Sequence, residues 1–386
     1  MRSPAAVAWS GFAVLAVAMG IGRFAFTPLL PMMQADAGLS LGEASALALA
    51  NYGGYLAGAL WAARQRATGA LALRLALAAI GFSTLAMAWA HEFPAWFAWR
   101  FVAGVASAWA LVHVSAWALA RLASAGRPAL AGLVYAGVGG GIVFAGLVCL
   151  IAMAGHAASR WTWMALGIAA LLVAAGTWKA FSPSNEARQT TQARIAWDPP
   201  LPRLIACYGA LGLGYIIPAT YLPAMAREAL RDPLVFGWTW PAFGAAAAAS
   251  TILAGALSRR VDQRRLWAVA HLVMALGVAA PLFVPGLAGI LIAAASVGGT
   301  FMIATMSGLQ AARTAAGAHG ARAMAAMTSA FAAGQIAGPA LVAALTRSGA
   351  TLGAALALSA AALALGAMVL LQKEPPHERA AAQIPL

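Results

Sequence analysis

Charged residues are scarce in this sequence. Lys, Arg, Asp and Glu together make up 9% of the 386 residues, and apolar residues make up 63%. A soluble domain carries about 25% charged residues, because polar groups must cover its surface. A chain of this length with so little charge cannot cover a water-exposed surface. The sequence therefore predicts an all-α membrane protein.

Long polar segments are also missing. The longest gap between apolar stretches covers about residues 182–200, which is too short to fold as a separate domain. A membrane-spanning helix needs about 20 mainly apolar residues, and twelve stretches satisfy this requirement. The twelve predicted spans are roughly 8–33, 41–63, 70–90, 94–120, 128–154, 161–181, 201–226, 235–257, 266–284, 286–312, 321–346 and 349–372.

Few side chains are suited to catalysis or metal binding. The chain has 10 acidic residues, 6 histidines and 2 cysteines, and both Cys149 and Cys207 fall within predicted spans. The His, Cys and acidic residues form no group with metal-ligand spacing, and the sequence contains no signalling domain. We therefore expect no metal, no cofactor and no catalytic residue. A membrane enzyme or sensor stays an alternative from a different class.

The basic residues are distributed unevenly. With the N-terminus placed inside, 18 of the 24 Lys and Arg residues fall on the inner side, four fall on the outer side, and Arg23 and Arg100 lie within spans. Cytoplasmic loops carry such an excess, which predicts cytoplasmic N- and C-termini. Topology thus explains the net charge of +14 without nucleic-acid binding. Arginine outnumbers lysine 22 to 2, as in GC-rich bacteria, which indicates the bacterial inner membrane.

The two halves of the sequence repeat. Residues 20–33, GIGRFAFTPLLPMM, match residues 212–225, GLGYIIPATYLPAM, at five positions with an offset of 192. Two further matches have an offset of 197: Gly58-Ala59-Leu60 with Gly255-Ala256-Leu257, and Gly137 and Gly141 with Gly334 and Gly338. Matches in one order indicate duplication of a six-helix unit. We expect an N-terminal bundle at 1–181, a cytoplasmic linker at 182–200 and a C-terminal bundle at 201–386.

This plan resembles that of the major facilitator superfamily, in which a cytoplasmic loop joins two six-helix halves of the same orientation. The loops after spans 2 and 8, GALWAARQR and GALSRRVDQRR, keep the glycine, leucine and basic residues of the superfamily's loop motif. Ala62 and Arg259 stand where the motif has aspartate. The opening GIGRFAFTPLLPMM resembles the YbfB/YjiJ-type branch. The resemblance implies twelve transmembrane helices in two six-helix bundles and transport by alternating access.

Arg23 interrupts the first apolar run. It lies about ten residues from the outer end of the span, or roughly 15 Å deep at about 1.5 Å per residue. Every acidic residue falls in a loop, a tail or a helix end, so Arg23 has no counter-charge at its depth. Such a guanidinium faces a wet cavity or binds a ligand, and it fits carboxylate or phosphate. The alternative is that Arg23 caps backbone carbonyls near Pro28 and Pro31.

Further polar side chains complete the predicted substrate site. Arg100 lies about six residues into the fourth span, where it either faces the cavity or snorkels to the membrane interface. The sequence around it, RFVAGVASA, partly resembles a motif of proton-coupled exporters, so a proton-driven multidrug exporter is an alternative function. The other candidates either bind substrate or form interhelical hydrogen bonds. They are Asn51, Tyr55, Tyr215, Tyr221 and Gln335.

Two more predictions concern the transport cycle. His113 is a candidate proton relay, because imidazole titrates near neutral pH, and a packed histidine is the alternative. The basic loop after the eighth span predicts four gating residues: Arg259, Arg260, Arg264 and Arg265. The sequence thus predicts a secondary transporter of a small anionic or carboxylate-bearing solute, with proton coupling left open. We expect a monomer in the lipid bilayer whose partners are the solute and, if coupled, protons.

Overall fold

A computed structural model of the protein describes residues 3–64, 70–181, 200–229, 233–257 and 260–372. The described residues form twelve helices, at the places expected from the sequence. They are α1 (Pro4–Asp36), α2 (Leu41–Arg64), α3 (Ala70–Ala86), α4 (Phe93–Ser124), α5 (Pro128–Ala154), α6 (Ser159–Ala180), α7 (Leu201–Ala229), α8 (Pro233–Leu257), α9 (Gln263–Phe283), α10 (Leu287–Ala316), α11 (Gly320–Arg347) and α12 (Leu352–Leu371).

Most of these helices can cross a membrane. Within the described residues, ten are long and apolar enough to span the bilayer. The helix α3 is apolar but has 17 residues, and α2 is made less apolar by Glu43, Asn51 and Arg64. The protein is therefore a multi-pass membrane protein, and the crossing by α2 and α3 stays a prediction.

Local sequence sets several helix ends. Pro4 and Pro94 stand in the first turns of α1 and α4. The first N–H groups of a helix have no acceptor within the helix, so the N–H that proline lacks costs no hydrogen bond there. Asp262 caps the start of α9, because its carboxylate accepts hydrogen bonds from the backbone N–H groups of Arg264 and Arg265 at 3.0 and 3.3 Å. The helix boundaries thus follow from residues at the ends, while the interiors stay apolar.

The two halves of the chain pack their helices in the same way. In the first half, α1 contacts α4 and α5, α4 contacts α2 and α3, and α3 contacts α6. In the second half, α7 contacts α10 and α11, α10 contacts α8 and α9, and α9 contacts α12. Each contact of the second set is a contact of the first set shifted by six helices. This agrees with the repeat in the sequence.

The halves meet along two helix pairs, α5 with α8 and α2 with α11. Glycine lets the backbones of α5 and α8 come into contact along their whole length, as small residues do between helices in lipid. We call this contact the α5–α8 seam. Its closest pairs are Gly132–Gly255, Gly139–Gly244 and Gly146–Pro241. The seam and the α2–α11 pair enclose the centre of the protein, where the candidate site lies.

Candidate functional site

The middle of α1 is a π-helix over Ala16–Phe24. In a π-helix each N–H bonds to the carbonyl five residues earlier, so the carbonyl of Arg23 would need the N–H of residue 28. Pro28 has no N–H, so it cannot donate to this carbonyl. The wide turn and the proline thus interrupt the regular backbone hydrogen bonding in the buried part of the helix.

Side chains from α4 and α2 donate hydrogen bonds to backbone carbonyls in and next to this segment. Arg100 donates from Nη1 to the carbonyl of Gly22 at 3.4 Å and from Nη2 to that of Arg23 at 3.3 Å. Asn51 donates from Nδ2 to the carbonyls of Gly22 and Arg100 at 3.3 and 3.0 Å. Arg100 is 3% exposed, so it does not snorkel to an interface. The carbonyl capping considered for Arg23 is carried out by Arg100 and Asn51.

The Arg23 side chain makes different contacts. Its guanidinium carbon lies 4.0 Å from the centre of the Tyr55 ring and 5.5 Å from that of Tyr52. Its Nη2 donates a hydrogen bond to Oε1 of Gln335 on α11. Its Nε and Nη1 have no acceptor among the residues that the structure describes. Arg23 is 4% exposed, so a positive charge is buried with one neutral acceptor and two unused donors.

A small cavity lies beside this guanidinium group. Its lining includes Phe24, Tyr55 and Phe331, whose ring centres lie 5.8, 4.0 and 6.0 Å from the guanidinium carbon of Arg23. The water-sized space inside is about 20 Å³, which is room for one or two water molecules. The other lining residues come from α1, α4, α7 and α10: Met19, Leu111, Tyr208, Tyr215, Phe301, Met302 and Thr305. Both halves therefore contribute to a cavity that is closed to anything larger than water.

Residues 15–371 match the model of a protein family described as uncharacterised MFS-type transporter YbfB. The chain belongs to this family. No curated protein matches it in sequence. Among solved structures, the human organic anion transporter MFSD10 (TETRAN) is similar, with a TM-score of 0.71 over 96% of this chain and 100% of that chain. The two sequences are 15% identical, so this likeness establishes the fold alone.

Membership of the YbfB-type family makes the protein a secondary transporter of the major facilitator superfamily, and not an enzyme. The superfamily and the branch predicted from the sequence are thereby confirmed. The cavity lies between the two halves, and such transporters hold their substrates at the interface of the two repeats. The cavity is therefore the candidate substrate site of this YbfB-type transporter.

Four of the predicted site residues lie together. Arg23 contacts both Tyr55 and Gln335, and Tyr215 lines the same cavity. Tyr215 corresponds to Arg23 in the repeat, so the two halves place different groups at one centre. Arg100 and Asn51 lie next to the site but contact the backbone of α1. The side chain of Tyr221 lies outside the described part of the structure.

Of the residues predicted for the transport cycle, those that the structure describes do not line the cavity. His113 is 2% exposed and meets Trp109 edge-on, with ring centres 5.8 Å apart. Neither ring nitrogen of His113 has a hydrogen-bond partner among the described residues. Near the start of α9, Arg260 and Arg265 are exposed and Arg264 is half-buried. Arg259 lies outside the described residues, and the role of these arginines as gates stays a prediction.

The sequence analysis missed the aromatic lining of the cavity. Helical spacing could have revealed part of this lining. Phe331 precedes Gln335 by four residues, and residues four apart in a helix lie on the same face. Tyr208 precedes Tyr215 by seven residues and lines the same cavity. The unpredicted aromatic residues near Arg23 are Phe24, Tyr52, Tyr208, Phe301 and Phe331.

Proposed function

We propose that this transporter moves a small organic anion with a carboxylate group across the bacterial inner membrane, and that Arg23 is its main ligand. The observation that carries the proposal is the buried guanidinium whose Nε and Nη1 have no acceptor among the described residues. A carboxylate binds guanidinium through a bidentate fork, and each of the two possible forks includes one of these nitrogens.

The energy of a buried charge supports this role. An uncompensated cation in an apolar interior costs stability, and unused donors add to that cost. Gln335 accepts one hydrogen bond from Arg23 but brings no negative charge. A second half built on the same plan has Tyr215 at the corresponding position, so the scaffold does not require an arginine. An anionic substrate would supply both the charge and the acceptors.

The proposed cycle is alternating access between two six-helix bundles, 1–181 and 201–386, joined by the linker 182–200. Arg23 belongs to the first bundle and Gln335 to the second, so a ligand held between them contacts both. Opening of the two bundles on one side at a time would let the ligand enter or leave. We propose that all twelve helices span the membrane, that both termini are cytoplasmic and that the transporter is a monomer.

Gating and proton coupling would involve other residues than the substrate site. Arg259, Arg260, Arg264 and Arg265 would help to close the cytoplasmic side through contacts with carbonyls or lipid phosphates. His113 has no acidic partner among the described residues and does not line the cavity, so it offers no route for protons to the site.

A binding screen tests the proposal. Purified protein would be heated with benzoate, lactate, succinate, glutamate, inorganic phosphate and tetraphenylphosphonium, and the unfolding temperature recorded. We expect a carboxylate to raise the unfolding temperature of the parent. Arg23→Ala should weaken the binding of that carboxylate at least about a hundredfold, because breaking a buried ion pair costs about 3–5 kcal/mol. Arg23→Lys should recover part of the affinity, since an ammonium group cannot form the planar fork.

Arg121→Ala is the matched control. Arg121 also lies over an aromatic ring, 5.1 Å from the centre of Trp117, but Trp117 does not line the cavity, whereas Tyr55 beneath Arg23 does. This variant should bind the carboxylate as the parent does. The proposal fails if a well-folded Arg23→Ala protein keeps the parent's affinity, or if the organic cation alone binds.

A further inference from the structure

Aromatic rings from the second half form one side of the cavity. Tyr215 stacks on Phe301, with ring centres 5.2 Å apart and planes 21° from parallel. Phe331 is also stacked with Tyr215, at 6.1 Å and 28°. Phe243 supports Phe301 at 5.3 Å and 19°. We call the three rings that line the cavity, Tyr215, Phe301 and Phe331, the aromatic wall.

The aromatic wall and Arg23 are close enough to share one small ligand. The centre of the Phe331 ring lies 6.0 Å from the guanidinium carbon of Arg23. Stacked or edge-on rings prefer centre separations of about 4.5–7 Å, so a ligand ring packed on the wall would lie next to the guanidinium group. The ring of such a ligand and its carboxylate must therefore be joined directly or through a bond or two.

Other kinds of anion find few partners in this lining. Its polar side-chain groups are four hydroxyls, those of Tyr55, Tyr208, Tyr215 and Thr305, and Thr305 already donates to the carbonyl of Phe301 at 2.9 Å. The lining contains no charged side chain, so it offers no carboxylate to an ammonium group and no arginine of its own to a second carboxylate; Arg23 lies beside the lining, over the Tyr55 ring. The nearby Arg100 donates from both Nη atoms to carbonyls of α1, whereas its Nε and the Nε2 of Gln335 have no partner among the described residues. An amino acid would thus leave a buried ammonium group unpaired, and a sugar acid or dicarboxylate would have only these two donors and the hydroxyls of the lining for its further groups.

We propose that the substrate is an aromatic monocarboxylate, with a planar ring against the aromatic wall and its carboxylate on Arg23. This inference rests on the proposed function, since it needs Arg23 to bind the anion. Arg23 belongs to the first half of the chain and the aromatic wall to the second, so the ligand holds the halves together through its two ends. The closed cavity has room for water alone, and the ligand therefore enters when the halves separate and Gln335 leaves Arg23.

Three ligands of matched size test the substrate class. Benzoate has both a ring and a charge, cyclohexanecarboxylate has the charge without the aromatic ring, and benzamide has the ring without the charge. Titration calorimetry on the parent protein should show benzoate binding roughly tenfold more tightly than cyclohexanecarboxylate, because aromatic contacts add about 0.5–1.5 kcal/mol each beyond area burial. Benzamide should give no measurable binding.

Two variants separate the ring from the charge. Phe301→Leu keeps an apolar side chain but removes one ring of the wall. It should lower benzoate affinity about threefold to tenfold and leave cyclohexanecarboxylate affinity nearly unchanged. Arg23→Lys should weaken both carboxylates by the same factor. Phe144→Leu changes a phenylalanine that is 45% exposed on α5, and this control should bind all three ligands as the parent does.

The outcomes distinguish this inference from the proposed function. If cyclohexanecarboxylate binds as tightly as benzoate, the aromatic class is wrong while an anion site at Arg23 stands. The aromatic class is also wrong if neither of them binds but another carboxylate of the screen binds through Arg23. If no carboxylate binds, or if Arg23 variants bind benzoate as the parent does, both proposals fall. Comparison of the ligands on the parent decides the question even if Phe301→Leu does not fold.

Discussion

Two neighbouring buried arginines make different contacts. Arg100 donates from both Nη atoms to backbone carbonyls of α1, and only its Nε has no acceptor among the described residues. Arg23 is buried as deeply, yet two of its nitrogens have no acceptor among the described residues. Satisfied groups of the first kind stabilise a fold, whereas groups of the second kind are tolerated where function requires them. A single substitution type applied to both should therefore have unlike effects.

Methionine at each position separates the two roles. Arg100→Met should lower the unfolding temperature of the ligand-free protein, because it removes the side-chain donor of the buried Arg23 carbonyl, at about 1–3 kcal/mol, while the Gly22 carbonyl keeps its hydrogen bond from Asn51. Arg23→Met should leave that temperature unchanged or raise it, since removal of a buried charge outweighs the loss of one hydrogen bond and of the cation–π contact with Tyr55. Differential scanning fluorimetry in detergent measures both. An equal loss of stability in the two variants would make Arg23 a structural residue.

At the scale of the helix, the sequence predicts position well and orientation poorly. The places of the twelve helices follow from apolar runs, and Arg23 stands out because a charge interrupts one of them. Rotation about the axis does not follow, because a helix that is apolar all round has no face that distinguishes lipid from protein. The inward direction of Phe301 and Phe331 therefore depends on tertiary contacts. So does the direction of Arg100, whose acceptors are carbonyls in the π-helical segment of α1.

The α5–α8 seam depends on glycine. A Cβ added at Gly139 would overlap the carbonyl oxygen of Gly244 and lie 2.5 Å from the backbone nitrogen of Ala248. Gly139→Ala should therefore push the helices apart. Overpacking costs about 1–3 kcal/mol, so the population of the closed state should fall roughly tenfold. Cysteines at Leu150 and Gly237, in a protein without Cys149 and Cys207, would report closure by disulfide cross-linking.

Those two reporter positions are in contact, since a Cβ at Gly237 would lie 2.9 Å from a Leu150 methyl carbon. Gly139→Ala should reduce the cross-linked fraction. Gly299→Ala is the control, because a Cβ there meets no described heavy atom within 4 Å. Equal cross-linking in the two variants would show that the seam does not need glycine to close.

At the scale of the whole molecule, a duplicated plan has diverged in its chemistry. The halves repeat their helix contacts, but the first half contributes the cation and the second half contributes the stacked rings. A symmetric pair of sites would bind two similar groups, whereas this arrangement favours one ligand with two unlike ends. The repeated helix contacts thus indicate the fold, and the unlike groups that the two halves contribute indicate the kind of ligand.

The membrane topology can be tested across both halves. Single cysteines at Arg188 and Leu230, in a protein without Cys149 and Cys207, should react oppositely with an impermeant maleimide. We expect the cysteine at 230 to be labelled in intact cells and the cysteine at 188 to be labelled only after permeabilisation, because the positive-inside rule puts the linker in the cytoplasm. Labelling of both from outside would refute twelve spans with cytoplasmic termini.

The hydrogen bond from Arg23 to Gln335 competes with substrate binding. Gln335 occupies a donor that an incoming carboxylate would use, so the ligand competes with a group that is always present at the site. The affinity measured in solution is then the intrinsic affinity reduced by the fraction of molecules in which this contact is broken. Such internal competition keeps binding weak enough for release, which a carrier needs as much as it needs capture.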